Sequence, residues 1–282
     1  MTVLHSLDAL REWQQNVKWA DKKTSFVPTM GALHEGHLSL IRQAAELGEL
    51  VVVSILVNPT QFNDAQDFES YPRTLESDAA MAQSAGAHAV FAPQPEDLYG
   101  GKPTADRVDW GNLTNAFEGA HRPGHFDGVV AVVDLLFEAM KPGFAVFGEK
   151  DLQQVAVVKR LARERHPQLE VVVGALVRDA HGLALSSRNA RLNPEGLELA
   201  LSLSRALSQV RQGWGAGQPL SEALSEARAT LEATEGVTLE YLDAVNETSF
   251  ESHAEGGEAP THVVVAAHVQ EVRLIDNLTL RT

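Results

Sequence analysis

Residues 25–57 read SFVPTMGALHEGHLSLIRQAAELGELVVVSILV. The run 25–29, centred on Phe26 and Val27, predicts a strand. Residues 37–48 place Leu40, Ile41, Ala44, Ala45 and Leu47 on one face of a helix, with Gly48 positioned to end it. Residues 50–57 are apolar without alternation, the pattern of a parallel strand covered on both faces. Strand, helix and buried strand in succession predict a β–α–β unit, and with it an α/β fold.

The same rhythm extends outward. Helical patterns at 72–86, 128–141 and 151–165 alternate with apolar strands at 89–93, 144–148 and 170–177. The Val-rich start of 128–141 runs against helix propensity. The alternation predicts a doubly wound parallel, Rossmann-like sheet with right-handed crossovers. From about residue 177 the pattern changes. Residues 193–213 and 220–234 are amphipathic helices joined by GWGAGQP (213–219), a glycine-rich connection expected to bend freely. Residues 237–246, 261–270 and 272–280 alternate apolar and polar side chains, as half-exposed antiparallel strands do. The expected organisation is a Rossmann-like domain over 1–176 and a smaller α+β domain over 177–282 that closes over the site. ESHAEGGEAP (251–260) is expected to form a mobile loop between strands.

The 38 acidic and 23 basic residues give a formal charge of -15, which repels phosphate backbones and anionic lipid. Neither nucleic acid nor membrane is an expected partner. With no cysteine in the chain, disulfides, thiolate catalysis and Cys-ligated zinc are excluded. Charges begin at Asp8, no early apolar run has signal-peptide length, and the longest apolar runs have strand length; the expected location is the cytoplasm.

In an open parallel sheet, ligands gather outside the carboxyl ends of the strands. Polar segments fall there: MGALHEGH (30–37), NPTQF (58–62) and GEKDLQQ (148–154), with LSSRN (185–189) a little farther along and HRPGHFDG (121–128) before a helix. His34 and His37 admit three readings. A metal pair is the weakest, because Gly36 lies between them and no third ligand cluster stands out. A phosphate cradle fits Gly31 and Gly36, the positive end of the helix, and imidazole donors for charge that develops in a transition state. An ordinary loop with surface histidines remains open on this stretch alone.

Each further candidate has a plain alternative. Lys150 can reach a triphosphate or can be a solvated surface lysine. Ser186, Ser187 and Arg188 offer two hydroxyls and a guanidinium fork, or simply a helix-capping turn. Asn58 and Gln61 suit a hydroxylated substrate, or a polar turn set by Pro59. Arg122 suits a carboxylate, or a helix entry. No Walker A, G-x-S-x-G or G-x-G-x-x-G signature is present, so direct attack on a nucleotide phosphate, helped by positioning and charge, fits the donors.

PTMGALHEGH, VNPTQF, RPGHFDGV, FGEKDLQQ and LALSSRN together resemble the pantothenate synthetase (pantoate–β-alanine ligase) family of the H-x-G-H nucleotidyltransferase superfamily. The resemblance runs in order from about residue 25 to 192. It implies that pantoate attacks the α-phosphate of ATP to give pantoyl adenylate and pyrophosphate. The amine of β-alanine then releases AMP and pantothenate. It implies Mg2+ carried on the ATP phosphates and a homodimer.

Carried over by residue, Met30, Gly31, His34, Gly36 and His37 would line the ATP phosphates, with His37 the principal catalytic histidine. Gly148, Glu149, Lys150 and Asp151 would form a second ATP segment, Lys150 on phosphate and Asp151 on ribose. Val177, Leu185, Ser186, Ser187 and Arg188 would complete the nucleotide site. Gln61 and Gln154 would hold pantoate, Gln61 would also border β-alanine, and Asn58 and Arg122 would be substrate-side. Residues 62–77 look like a flap. The chain departs from the family pattern at Ala131, Asp134 and Leu185, where Thr, Lys and Met are usual. Another H-x-G-H enzyme, an adenylyl- or cytidylyltransferase, is the alternative, but it would need further cations for a phosphorylated substrate.

Overall fold

The structure, a computed structural model, describes residues 1–253 and 258–281. Residues 254–257, within the loop expected at 251–260, lie outside the described residues. The chain divides into two compact units. Unit 1 comprises Met1–Glu149 and Val157–Ala175; unit 2 comprises Lys150–Ala156 and Leu176–Thr282.

Unit 1 begins with β1 (Thr2–Leu4), α1 (Leu7–Asn16), β2 (Thr24–Thr29), α2 (Glu35–Leu47) and β3 (Leu50–Ile55). Next come α3 (Ala65–Glu69), α4 (Leu75–Ser84), β4 (Ala89–Phe91), α5 (Pro95–Tyr99), α6 (Asn112–Asn115), α7 (Glu118–His121), α8 (His125–Met140) and β5 (Phe144–Gly148). The helix α9 (Leu152–Arg165) starts in unit 2 and ends in unit 1, before β6 (Glu170–Gly174).

Among the described residues, the six strands of unit 1 form one parallel sheet in the order β1-β4-β3-β2-β5-β6. The α/β reading therefore holds, with β1 added at the edge; a strand of three residues is too short to show periodicity. From β2 the chain winds outward through β3 and β4, whereas β5 and β6 lie on the other side. The switch point is thus between β2 and β5, and a crevice is expected at their carboxyl ends. The β2–β5 ladder covers only Ser25↔Phe144 and Phe26↔Ala145. Two residues on, Pro28 has no amide hydrogen with which to extend it.

Packing decides the details that propensity leaves open. The Val-rich helix α8 buries Val129, Val130, Val132 and Val133, and it starts at His125, before its apolar run begins. On α2, Leu38 joins Leu40, Ile41 and Ala44 in the core, while Ala45 is exposed rather than on the buried face as expected.

Unit 2 contains α10 (Pro194–Gly215), α11 (Leu220–Glu232) and the antiparallel sheet β7 (Val237–Val245), β8 (His262–Val269) and β9 (Val272–Thr279). Two expectations are corrected here. The glycine-rich connection does not bend freely from its start: α10 continues through Gly215, and a Cβ on Gly213 would stand 2.3 Å from the Gln218 amide oxygen. The middle strand β8 is not half-exposed, since every residue but His268 is buried. Its core partners include Leu201, Leu207, Ala227 and Leu231 from the two helices.

Candidate functional site

Unit 1 builds its candidate site at the carboxyl end of β2. The Thr29 hydroxyl donates to the Ser54 carbonyl at 2.7 Å and accepts the Gly31 N–H at 3.1 Å, which closes a tight turn. Gly31 has φ +85°, and a Cβ there would lie 3.0 Å from both the Asp78 Oδ2 and the Ile55 Cγ2 atoms. Ala32 follows with φ +50°, a left-handed conformation that a non-glycine residue adopts only when it is held there. Asp78, on α4 and 1% exposed, holds it. Its carboxylate accepts the Ala32 N–H at 2.9 Å, the Leu33 N–H at 2.8 Å and the Thr74 hydroxyl at 3.0 Å.

The loop delivers His34 to the N-cap of α2. The His34 Nδ1 accepts the Gly36 N–H at 3.2 Å, and the His37 Nδ1 accepts the His34 N–H at 3.3 Å, a reciprocal cap built from two imidazoles. The ring centroids are 4.2 Å apart. A ring nitrogen that accepts from an amide carries no proton, so each imidazole is the tautomer with its hydrogen on Nε2. The helix start therefore presents two Nε2–H donors alongside its own partial positive charge.

A second cluster lies beside it. The buried Asn58 donates from Nδ2 to the Gln61 Oε1 at 3.3 Å and to the Gly128 carbonyl at 3.2 Å. The Gln61 Nε2 in turn donates to the Met30 sulfur at 2.9 Å, which joins this cluster to the loop after β2. The Tyr99 hydroxyl donates to the Asn58 Oδ1 at 3.1 Å, and burial pushes its phenol up from the usual range. The His125 Nδ1–H donates to the Gln61 carbonyl at 2.9 Å. Arg122 reaches that same carbonyl, the His125 Nε2 at 3.1 Å and the buried Glu118 carboxylate at 3.4 Å. Its guanidinium is thus engaged within the cluster. Gly128 admits no alternative: a Cβ would stand 2.2 Å from the Thr60 carbonyl oxygen.

The segment read as a flap, 62–77, is a small aromatic knot. Phe62 meets Phe68 and Tyr71 edge-on at centroid distances of 5.3 and 5.7 Å, and the Arg73 guanidinium lies 5.4 Å from the Phe68 ring. Gly148 ends β5 and Glu149 is the last residue of unit 1 before the chain passes into unit 2.

In unit 2, the Lys150 ammonium lies 3.5 Å from Asp151. Gln154 stands half-buried in the first turn of α9. Val177 and Leu185 are paired by the Leu185 N–H on the Val177 carbonyl at 3.0 Å, the base of a hairpin whose tip is tied by the Asp179 carboxylate. This hairpin presents Ser186, Ser187 and Arg188. The Ser186 hydroxyl caps the short helical turn by accepting the Arg188 N–H at 3.2 Å, so the capping reading of LSSRN is correct for that oxygen. Lys150, Ser186, Asn189 and Asp276 line one pocket of unit 2. Among the described residues, the buried Asn189 Oδ1 has no hydrogen-bond partner.

Motifs located the candidate residues but not what holds them. Asp78, Tyr99, His125 and Gly128 went unassigned. Asp78 reads in sequence as an ordinary acid in the first turn of a helix, and it lies 45 positions from the Leu33 N–H it binds.

Comparison with known proteins bears on the chain as a whole. Residues 2–279 match the family model described as Pantoate-beta-alanine ligase. The pantothenate synthetase of Rubrobacter xylanophilus is 44% identical, covering 99% of this chain and 98% of the relative. That of Bacteroides fragilis is 41% identical over the same shares. The crystal structure of pantothenate synthetase from Thermus thermophilus superposes with a TM-score of 0.92 at 40% identity, covering 100% of both chains. A Francisella tularensis pantoate-beta-alanine ligase, complexed with beta-gamma ATP and beta-alanine, matches with a TM-score of 0.83 at 32% identity, covering 100% of this chain and 98% of that one.

Proposed function

The chain belongs to the pantoate–β-alanine ligase family, and we propose that it joins pantoate to β-alanine through a pantoyl adenylate, releasing pyrophosphate and then AMP. A pantoate carboxylate oxygen attacks the α-phosphorus of ATP and the bond to the β-phosphate bridging oxygen breaks. The β-alanine amine then attacks the acyl carbon, loses a proton, and AMP leaves. The observation that carries this reading is the reciprocal imidazole cap at the start of α2. It offers two Nε2–H donors and a helix N-terminus for negative charge that builds on phosphate oxygens.

For unit 1 we assign Met30, Gly31, His34, Gly36 and His37 to the phosphates and Gln61 to a pantoate hydroxyl. Gln61 suits this task because Asn58 and Met30 fix its amide. Asn58 and Arg122 act by holding Gln61, and Gly148 and Glu149 lead the chain towards the second ATP segment. For unit 2 we assign Lys150 and Arg188 to phosphate charge, Asp151 to ribose, Gln154 to pantoate, and Val177, Leu185, Ser186 and Ser187 to the nucleotide. We assign Mg2+ to the phosphates of its ATP, whose oxygens suit a hard cation that keeps part of its water shell.

The test is an assay of the purified chain with ATP, Mg2+, pantoate and β-alanine. AMP and pyrophosphate should appear in equal amounts with pantothenate. AMP release that ignores either substrate overturns the reading. With pantoate alone, labelled pyrophosphate should exchange into ATP; absence of exchange rules out a reversible adenylate. Sedimentation of the same sample should give the mass of a homodimer.

A further inference from the structure

Lys150 sits in a tight turn, and a lysine side chain has four rotatable carbons between backbone and charge. A small tilt of the turn therefore moves the ammonium by a much larger distance. Something must hold the Lys150 peptide if its charge is to meet a phosphate at a fixed place. That something lies on β9, 127 residues away: the Asn277 Nδ2 donates to the Lys150 carbonyl at 3.0 Å.

Asn277 is itself immobile by construction. It is 4% exposed and pairs with Val264 in the middle strand of its sheet. Its N–H donates to the Asp276 Oδ1 at 2.7 Å, and its carbonyl accepts the Arg178 guanidinium at 3.0 Å. Arg178 forks onto both Asp276 oxygens at 2.7 and 2.9 Å and reaches the Gly182 carbonyl at 3.0 Å. Arg178 belongs to the hairpin that presents Ser186 to Arg188. One dipeptide of β9 thus fastens both ATP-assigned segments of unit 2, Lys150 by the Asn277 amide and the hairpin by the Asp276 carboxylate. Lys150, Ser186 and Asp276 accordingly line a common pocket.

We infer that Asn277 is a positioning residue for the adenylation step, acting through Lys150. The inference rests on the assignment of Lys150 to the ATP phosphates. A purely architectural Asn277, one that only satisfies a carbonyl, would stabilise the unit without favouring either half-reaction.

A double-mutant cycle separates these. Asn277→Leu keeps the shape of the side chain and removes its donor. Misaiming a catalytic group by a fraction of an ångström should lower pyrophosphate–ATP exchange about ten- to hundredfold. Conversion of supplied pantoyl adenylate by β-alanine should stay at the wild-type rate. In the Lys150→Ala background, Asn277→Leu should cause no further loss. A full additional loss in that background, or equal loss in both half-reactions together with a lowered melting temperature, overturns the inference. If instead Lys150→Ala itself leaves exchange intact, the assignment of Lys150 fails, a result distinct from the first. Asn277→Ala and Asn277→Ser run through the same cycle, so that the reading does not depend on one variant folding.

Discussion

The loop after β2 and the strand β9 hold their candidate residues by different physics. In unit 1 the site is made of backbone: amide hydrogens accepted by Asp78, two imidazoles folded into a helix cap, and glycines where no Cβ fits. In unit 2 the brace is a charge pair, the half-buried Arg178 with the buried Asp276, from which Asn277 reaches Lys150. Burial pushes the Asp276 carboxyl up, against the pull of Arg178. The first arrangement is defended by sterics and hydrogen-bond directionality, the second by neutralisation. Damage to each should therefore look different.

The sharpest test of the steric half is Gly128→Ala. In an open helix this change adds about 1 kcal/mol of stability. Here the new methyl would stand 2.2 Å from the Thr60 carbonyl oxygen and 2.6 Å from the Gln61 nitrogen. We expect a loss of about 3 kcal/mol or more by urea denaturation, with activity abolished. Unchanged stability would show that the clamp on Gln61 yields easily.

Next in size is His37→Ala. Loss of a preorganised donor should lower exchange about 100- to 1,000-fold, while the loss of its half of the cap costs about 1 kcal/mol of stability. A drop in stability that accounts for the whole loss of activity would make His37 a structural residue only.

Asp276→Ala tests the charged half. It leaves Arg178, whose side chain is 24% exposed, without its partner, and should destabilise unit 2 by about 2–3 kcal/mol, below the full cost of breaking a buried pair. Added salt should recover part of the loss by screening, which it should not do for Gly128→Ala. Equal salt response in both variants breaks the comparison.

Tyr99→Phe is the mildest. It removes the hydrogen bonds of the phenol to Asn58 and to the Thr60 hydroxyl, about 1–2 kcal/mol together, and should raise the KM for pantoate a few-fold without changing kcat. It also has a pH signature. Because burial raises the phenol pKa in the fold, the stability from its protonated form is complete below the ordinary tyrosine range and is lost as pH rises from there towards the folded value. Thermal melts across about pH 9 to 11 should show that decline in the parent chain and a shallower one in Tyr99→Phe.

How much of this was legible depends on the distance over which each signal acts. The β–α–β unit at 25–57 was readable because hydrophobic periodicity is local, and the motif segments were readable because each is contiguous. The burial of β8 is legible in the same way: Val263 to Ala267 are five consecutive apolar residues, the unalternating pattern of 50–57, which the half-exposed expectation overlooks. The braces were not legible. Asp78 binds a turn 45 residues back, Tyr99 reaches 41 residues to Asn58, and Asn277 reaches 127 residues to Lys150. An Asn in an alternating strand carries no mark of the carbonyl it will meet. Asp134 is similar: as a departure from the family's usual Lys it looked like a substrate question. In the fold it pairs with Arg165 and with His166 at 2.7 Å, joining α8 to the end of α9.

The path of the chain between the units bears on how such proteins can be recombined. It passes from one to the other after Glu149, after Ala156 and after Ala175, so the lysine assigned to ATP travels with the C-terminal unit although it precedes it in sequence. A chimera joined once, near residue 175, would pair a recipient's Lys150 segment with a donor's β9, so that the contact at Asn277 would be made between two parents. Exchange of the unit intact requires two inserts, 150–156 and 176–282, cut from the same parent.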